Sequence, residues 1–506
     1  MKSWKPVLTG ALAERARQVV EEIAAVLAAA AAAPDGEVRG ADPVPSVAPA
    51  TATAPATAPD PATPEAILPG PGLAGGTSGG ALFFAYRRHT GDGAAADSAA
   101  AAALLERSTE ALATTPLPPD LYAGFAGVAW TAEHLYSPRF AEPDDGDDTS
   151  EGAGAAQAAQ AGAAGAAGAV PGPAGEGAAE EEDPLVEIDE ALQRYVDRSP
   201  WNADYDLIRG LAGLGVYTLE RLPRPSALAC LATIVERLAE TAEHGPQGTT
   251  WHTAPELLPD WQRQLYPAGY YNLGMAHGVP AVIGLLGATV AATERLGSAG
   301  DPAARELAGR ARPLLDGAVR WLLAQRLPPG RDSWFGGTLS AENPAQRSRL
   351  AWCYGDPGIA AALLVAARST GDAALERLAV ELALAAAARP AETAGVRDAG
   401  LCHGSAGLGH LFNRFYQETG EPQLAAASRR WFEHALDFRL PGEGLAGYRA
   451  FWVEDDGVTE SWRNRGGLLE GVAGIGLAFL AGLSDFEPAW DRVLMLSAAT
   501  LPAPER

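Results

Sequence analysis

The chain has 506 residues, 47% of them hydrophobic and 20% charged, which is ample apolar material for a large core and excludes a small disulfide scaffold. Its 38 basic residues against 63 acidic ones leave a net charge of −25, the wrong sign for neutralising phosphates, so nucleic acid is not an expected partner. Three cysteines cannot build a disulfide framework and point to a reducing cytoplasm.

From the N-terminus, residues 10–32 read as an amphipathic helix. Its apolar stretch 23–33 follows Glu21 and Glu22, where a secretion signal would carry basic residues. No run of about 18 uncharged apolar residues occurs, so no spanning helix is expected. Two stretches break the periodic pattern: 34–64, rich in Ala, Pro and Thr, and 142–183, rich in Ala, Gly and acid. Both read as flexible insertions within one domain spanning 1–506. The second carries eleven acidic and no basic residues, so removing it brings the net charge to −14. Much of the acidity is therefore solvated insertion, the Asp144-Asp145-Gly146-Asp147-Asp148 run included.

The remainder repeats itself. A G-x-x-G pair opens an apolar helical run at Gly76, Gly124, Gly210, Gly355, Gly404 and Gly471, and a seventh copy at Gly278 has Ala281 in the second place. Longer helical patterns with a polar side precede these runs at 10–32, 98–113, 185–197, 226–243, 303–326, 373–389 and 422–438. A helix apolar nearly all round must be enclosed, whereas one with a polar stripe can face water. The expected fold is all-α, an α/α toroid of seven inner and seven outer helices. Close convergence of backbones at one end of a narrow ring explains the glycines, and unpaired helix-start N–H groups there would favour thiolates. The copies at Gly76, Gly124 and Gly471 read as packing only.

Two copies differ. Trp352-Cys353-Tyr354-Gly355 and Leu401-Cys402-His403-Gly404 place soft ligand atoms one or two residues before the first repeat glycine. Equivalent positions of successive repeats point at one central region, so two sulfurs and an imidazole meet there. Two thiolates and a neutral imidazole suit Zn²⁺ and leave its fourth tetrahedral place for water or substrate, which implies catalysis by thiol activation. Cys230, alone in an apolar helix, reads as core. His410 and His434, without a matching partner, read as structural or surface residues.

These segments resemble the LanC family of lanthionine synthetases, in W-C-Y-G and C-H-G and also in Asp206-Leu207-Ile208-Arg209-Gly210-Leu211-Ala212-Gly213, Asn272-Leu273-Gly274-Met275-Ala276-His277-Gly278 and Arg349. The resemblance implies a zinc-dependent cyclase that adds peptide cysteine thiols to dehydroalanine or dehydrobutyrine, making lanthionine or methyllanthionine rings. It implies that Cys353, Cys402 and His403 hold zinc while His277, Asp206, Arg349 and Tyr354 surround the reacting groups. It implies a dehydrated precursor peptide as partner; nothing resembling a kinase or lyase module stands in the chain, so a separate dehydratase is expected, and a membrane-associated transporter complex is a further candidate partner. His277 suits the general acid. Asp206 would orient His277 or hold it protonated, and Arg349 would pair with that carboxylate or stabilise an enolate. Tyr354 would donate a hydrogen bond or simply pack. Trp251, Trp261, Tyr266, Tyr270 and Tyr271 would cover the mouth, contact peptide or pack the ring. The rival functions are addition of glutathione to dehydrated residues, a noncatalytic zinc-stabilised peptide-binding scaffold, and a prenyltransferase on a similar toroid.

Overall fold

The computed structural model describes residues 4–32, 67–90, 94–137, 183–341, 343, 345–454 and 456–497. The insertion at 34–64, the acidic run and all of 142–183 except Asp183 lie outside them. Asp183 is part of the folded chain, because its carboxylate pairs with the fully buried guanidinium of Arg221. The second insertion therefore stops short of that residue.

Among the described residues fourteen longer helices are of two kinds. Seven start at a repeat glycine: α2 (Thr77–Arg87), α4 (Phe125–Tyr136), α6 (Leu211–Arg221), α8 (Val279–Ser298), α10 (Asp356–Thr370), α12 (Ser405–Thr419) and α14 (Val472–Leu483). The others are α1 (Gly10–Ala31), α3 (Ala94–Thr114), α5 (Val186–Val196), α7 (Pro225–Thr241), α9 (Pro302–Ala324), α11 (Ala373–Ala388) and α13 (Pro422–Asp437). In α14, every residue from Val472 to Gly482 is buried, whereas α5 buries only Asp189, Leu192 and Val196, which decides inner against outer. Local signals set the ends. Asp301 and Asp372 accept the first free N–H groups of α9 and α11, and left-handed Gly371 and Gly420 stop α10 and α12.

The inner helices close a ring: α2 packs on α4, α4 on α6, α6 on α8, α8 on α10, α10 on α12, α12 on α14, and α14 back on α2. Outer helices other than α5, which leans on α7, pack mainly on the inner helix that precedes them, so α1 serves the last inner helix. The Trp4 indole N–H donates to the Ala481 carbonyl at 2.8 Å and the Leu8 N–H to that of Gly482 at 2.9 Å, joining the two chain ends. The apolar helix Val279–Ser298 is long enough to cross a membrane, but 78% of its window is buried inside the ring. Among the described residues no other helix passes that test.

The repeat glycines answer to a second cause besides the expected convergence of repeats. A Cβ at Gly358 would lie 2.2 Å from the Trp352 carbonyl oxygen, and one at Gly407 would lie 2.0 Å from that of Leu401. The tightest approach is made by each helix's own entry turn, six residues back, and the neighbouring repeat adds a second one: Met275 Cβ would lie 3.0 Å from a Cβ at Gly358 and the Leu468 N 3.0 Å from one at Gly79. That turn also uses the helix-start donors: Ser405, Ala406 and Gly407 N–H groups donate to the carbonyls of Asp398, Ala399 and Gly400. At the start of α12 the expected free N–H groups are thus already satisfied.

Successive turns are stitched together by the backbone. Leu207 N–H donates to Ala276, Ala276 to Cys353, Cys353 to Cys402, Cys402 to Leu469, Leu469 to Ala74 and Ala74 to Tyr122, at 2.9–3.2 Å. Short strands flank this belt: β1 (Glu243–Gly245) pairs with β2 (Gly248–Thr250), β4 (Tyr270–Asn272) lies between β3 (His252–Thr253) and β5 (Thr338–Leu339), and β6 (Ala450–Val453) pairs with β7 (Glu460–Arg463), all antiparallel. The segment 489–497 packs inside the ring, where Tyr122 Oη donates to the Val493 carbonyl at 2.6 Å and Trp352 Nε1 to that of Leu494 at 2.8 Å.

Candidate active site

The belt explains why residues distant in sequence meet. Because Cys353 N–H donates to the Cys402 carbonyl at 3.2 Å, the two cysteines stand side by side, with His403 following the second. The ligand atoms of Cys353, Cys402 and His403 lie within 4.8 Å of one another, and all three residues are buried. His403 Nδ1 is buried without a hydrogen-bond partner, while Nε2 lies 4.0 Å from Asp398 Oδ2. That carboxylate is itself fixed by the N–H groups of Gly400 and Phe451. An orphaned imidazole nitrogen, two adjacent sulfurs and an outer carboxylate are a donor set that fits zinc.

The thiols are electrostatically unequal. Burial would raise Cys353, but hydrogen bonds from Cys402 and His403 and the Arg349 guanidinium hold it well below the usual thiol range. The hydrogen bond to Cys353 pushes Cys402 up, and burial adds to it. Burial would lower His403, yet the Cys353 sulfur raises it.

One repeat further round, the Leu207-to-Ala276 hydrogen bond sets Asp206 against His277. Asp206 Oδ2 lies 2.5 Å from His277 Nδ1, and Oδ1 accepts the Arg209 N–H at 2.8 Å. A carboxylate accepts, so Nδ1 carries the proton and Nε2 is left for other partners. Asp206 is fully buried, which alone would raise it, but His277 and the Arg209 N–H bring it below the usual carboxylate range. Its neighbour Asp204 is pushed up to about 6 by burial and the Asp206 charge.

Tyr354 lies between the two groups, its ring centroid 6.4 Å from that of His277. Its hydroxyl accepts from Asn272 Nδ2 at 2.9 Å, and burial raises it far enough to remain a neutral donor. Arg349 is half-buried beside the cysteines. Asp206 bonds to His277 and Arg209 instead, so among the described residues the pairing of Arg349 with that carboxylate is not made.

Beside His277 lies a small recess lined by Asp206, Arg209, Tyr354, Leu257, Pro259 and Gln262. Of the five aromatics before this repeat, Tyr270 lines the recess, Trp251 is buried with its indole N–H on the Leu238 carbonyl, and Trp261 packs against Gly457. Tyr266 Oη lies 3.1 Å from Thr338 Oγ1, and Tyr271 Oη donates to Glu243. Cys230 is buried in α7 with its thiol raised by burial, as a core residue should be. His410 does have a partner, Asp491 Oδ2 at 3.0 Å, and His434 packs against Trp431.

The family model for lanthionine synthetase C-like protein matches residues 174–495. The chain belongs to that family. Among solved structures, nisin cyclase matches with a TM-score of 0.57 at 18% identity, over 84% of this chain and 92% of the other. This LanC-like chain therefore has the cyclase fold and carries the Cys-Cys-His cluster at its centre.

One residue escaped the sequence reading. Glu470 immediately precedes Gly471, as His403 precedes Gly404 and His277 precedes Gly278, and that register was the available signal. Burial raises its carboxyl, and Oε1 is buried without a hydrogen-bond partner. The copy at Gly471 thus does carry a ligand-type side chain at its start.

Proposed function

We propose that the protein is a zinc-dependent lanthipeptide cyclase, joining cysteine thiols to dehydroalanine or dehydrobutyrine of one dehydrated precursor peptide. The observation that carries this reading is a buried Cys353-Cys402-His403 cluster one repeat away from a histidine locked by a carboxylate. Zinc held by those three residues supplies a Lewis acid that keeps a peptide thiol in its thiolate form near neutral pH.

The addition makes one S–C bond at Cβ, breaks the Cα=Cβ π bond and moves its electron pair into an enolate. A proton then enters at Cα, balancing the one lost by the thiol. His277 suits both transfers: Asp206 fixes the Nδ1 proton, so Nε2 takes a proton and returns it. Arg349 brings positive charge to the enolate oxygen, and the Tyr354 hydroxyl, kept neutral by burial, donates a hydrogen bond. The burial of the cluster excludes water from the nucleophile. Such a substrate requires prior dehydration of Ser and Thr in the same peptide.

The test is incubation of zinc-loaded protein with a dehydrated, cysteine-containing precursor, followed by thiol alkylation and fragmentation mass spectrometry. Cyclisation leaves the mass unchanged and removes alkylatable thiols. Thiols that stay alkylatable with every precursor offered, or transfer only of added glutathione, refute the reading.

A further inference from the structure

The position before the first repeat glycine is occupied, in ring order, by Gly75, Ala123, Arg209, His277, Tyr354, His403 and Glu470. The belt holds Glu470 between two neighbours. Leu469 accepts from Cys402 N–H at 2.9 Å on one side and donates to the Ala74 carbonyl at 3.1 Å on the other. Glu470 is therefore flanked by His403 and by Gly75. Its Oε1 has no hydrogen-bond partner although it is buried, a costly state that an incoming N–H would relieve. On its other flank there is room, for a Cβ built at Gly75 meets nothing within 4 Å.

An acceptor without a donor, beside the thiol cluster and next to vacant space, matches an extended peptide, which brings one N–H per residue. We propose that Glu470 Oε1 accepts a backbone N–H of the thiol-bearing peptide segment, and that this segment runs over Gly75. The inference rests on the cyclase reading and adds to it the subsite that places the nucleophile. Arg465 and His403 lie close enough to favour the Glu470 charge against the burial that raises its carboxyl.

Cobalt-substituted protein reports thiol binding by sulfur-to-metal charge-transfer absorption. It is titrated with a synthetic heptapeptide containing one central Cys and, separately, with 2-mercaptoethanol, which has no amide. Glu470→Leu should weaken the peptide about tenfold or more, in line with the loss of a hydrogen bond to a charged group, and leave 2-mercaptoethanol within twofold. Glu470→Gln, which keeps an acceptor oxygen, should fall between. Gly75→Leu should weaken the peptide alone, with cobalt content unchanged in all three variants. Equal losses for both thiols, no loss for either, or loss of cobalt from Glu470→Leu overturns the subsite and leaves the cyclase reading standing. Wild-type protein that takes up no cobalt, or binds no thiol, overturns both.

Discussion

Replacing Asp206 by Asn changes one hydrogen bond in a defined way. The Asn carbonyl oxygen can still accept the Arg209 N–H now held at 2.8 Å, so the turn before α6 should keep its shape. What then faces His277 Nδ1 at 2.5 Å is an amide donor, which forces Nδ1 to accept and moves the ring proton to Nε2. The nitrogen that has to take the thiol proton is thereby blocked. A hydrogen bond to a charged group contributes about 1.5–3 kcal/mol, and general acid–base catalysis is worth about 10²–10⁴-fold. Turnover should therefore fall about 10²-fold or more, with zinc content and melting temperature close to wild type. The cyclisation rate is followed by thiol alkylation at saturating precursor. His277→Ala should show a similar loss, and the double variant should lose little further, because the two residues act as one unit. Wild-type rates in Asp206→Asn, or additive losses in the double variant, would refute the proton-transfer role.

Cys353→Ala and Cys402→Ala should each lose bound zinc by metal analysis, whereas Cys230→Ala, in the core of α7, should keep it. Gly407→Ala forces a Cβ to within 2.0 Å of the Leu401 carbonyl, backbone that cannot swing aside, and should cost about 3 kcal/mol or more in denaturant melts; Gly75→Ala, in open space, should be nearly neutral. Glu220 and Asp491 tie the segment 489–497 into the ring. Burial would raise both, but Arg492 and His134 bring Glu220 from 4.5 to about 2, and Arg414 and His410 bring Asp491 from 3.8 to about 2. Their folded values lie below the unfolded ones, so this stabilisation is complete above about pH 4.5 and is lost as pH falls toward 2. It amounts to about 2–3 kcal/mol each by the linkage relation. Unfolding free energies equal at pH 3 and pH 6 would contradict that.

The ring was legible because inner and outer helices have to solve different solvation problems. Val472–Leu483 contains no charged residue and Val186–Val196 contains four, and no other arrangement buries the first while wetting the second. The metal cluster was legible for a related reason: repetition converts sequence register into spatial position, so Cys353 and Cys402 could be placed together before any contact was known. What was not legible depends on pairings between different segments. The segment 489–497 has no periodicity, and its hold on Tyr122, Trp352, Glu220 and His410 is visible only in three dimensions. His410 looked partnerless for that reason. Glu470 was passed over because its neighbour Leu469 lacks the sulfur that marks Cys402, although the two repeats share one register.

That register also explains why the candidate catalytic and ligand residues gather at one mouth and on part of its rim. Every inner helix enters through the same turn, so the residue before its first glycine is delivered to the same height, with the belt fixing the order. Five consecutive repeats use the place for Arg209, His277, Tyr354, His403 and Glu470, and the remaining two leave it to Gly75 and Ala123. The opposite ends of these helices carry Tyr86, His134, Glu220 and Arg414, whose polar groups are taken up among themselves and by Asp491 and Arg492. A repeat that is symmetric in backbone thus becomes asymmetric in side chains through single residues: one arc of the rim carries the ionisable and hydrogen-bonding groups, and the two small residues leave the rest of it open.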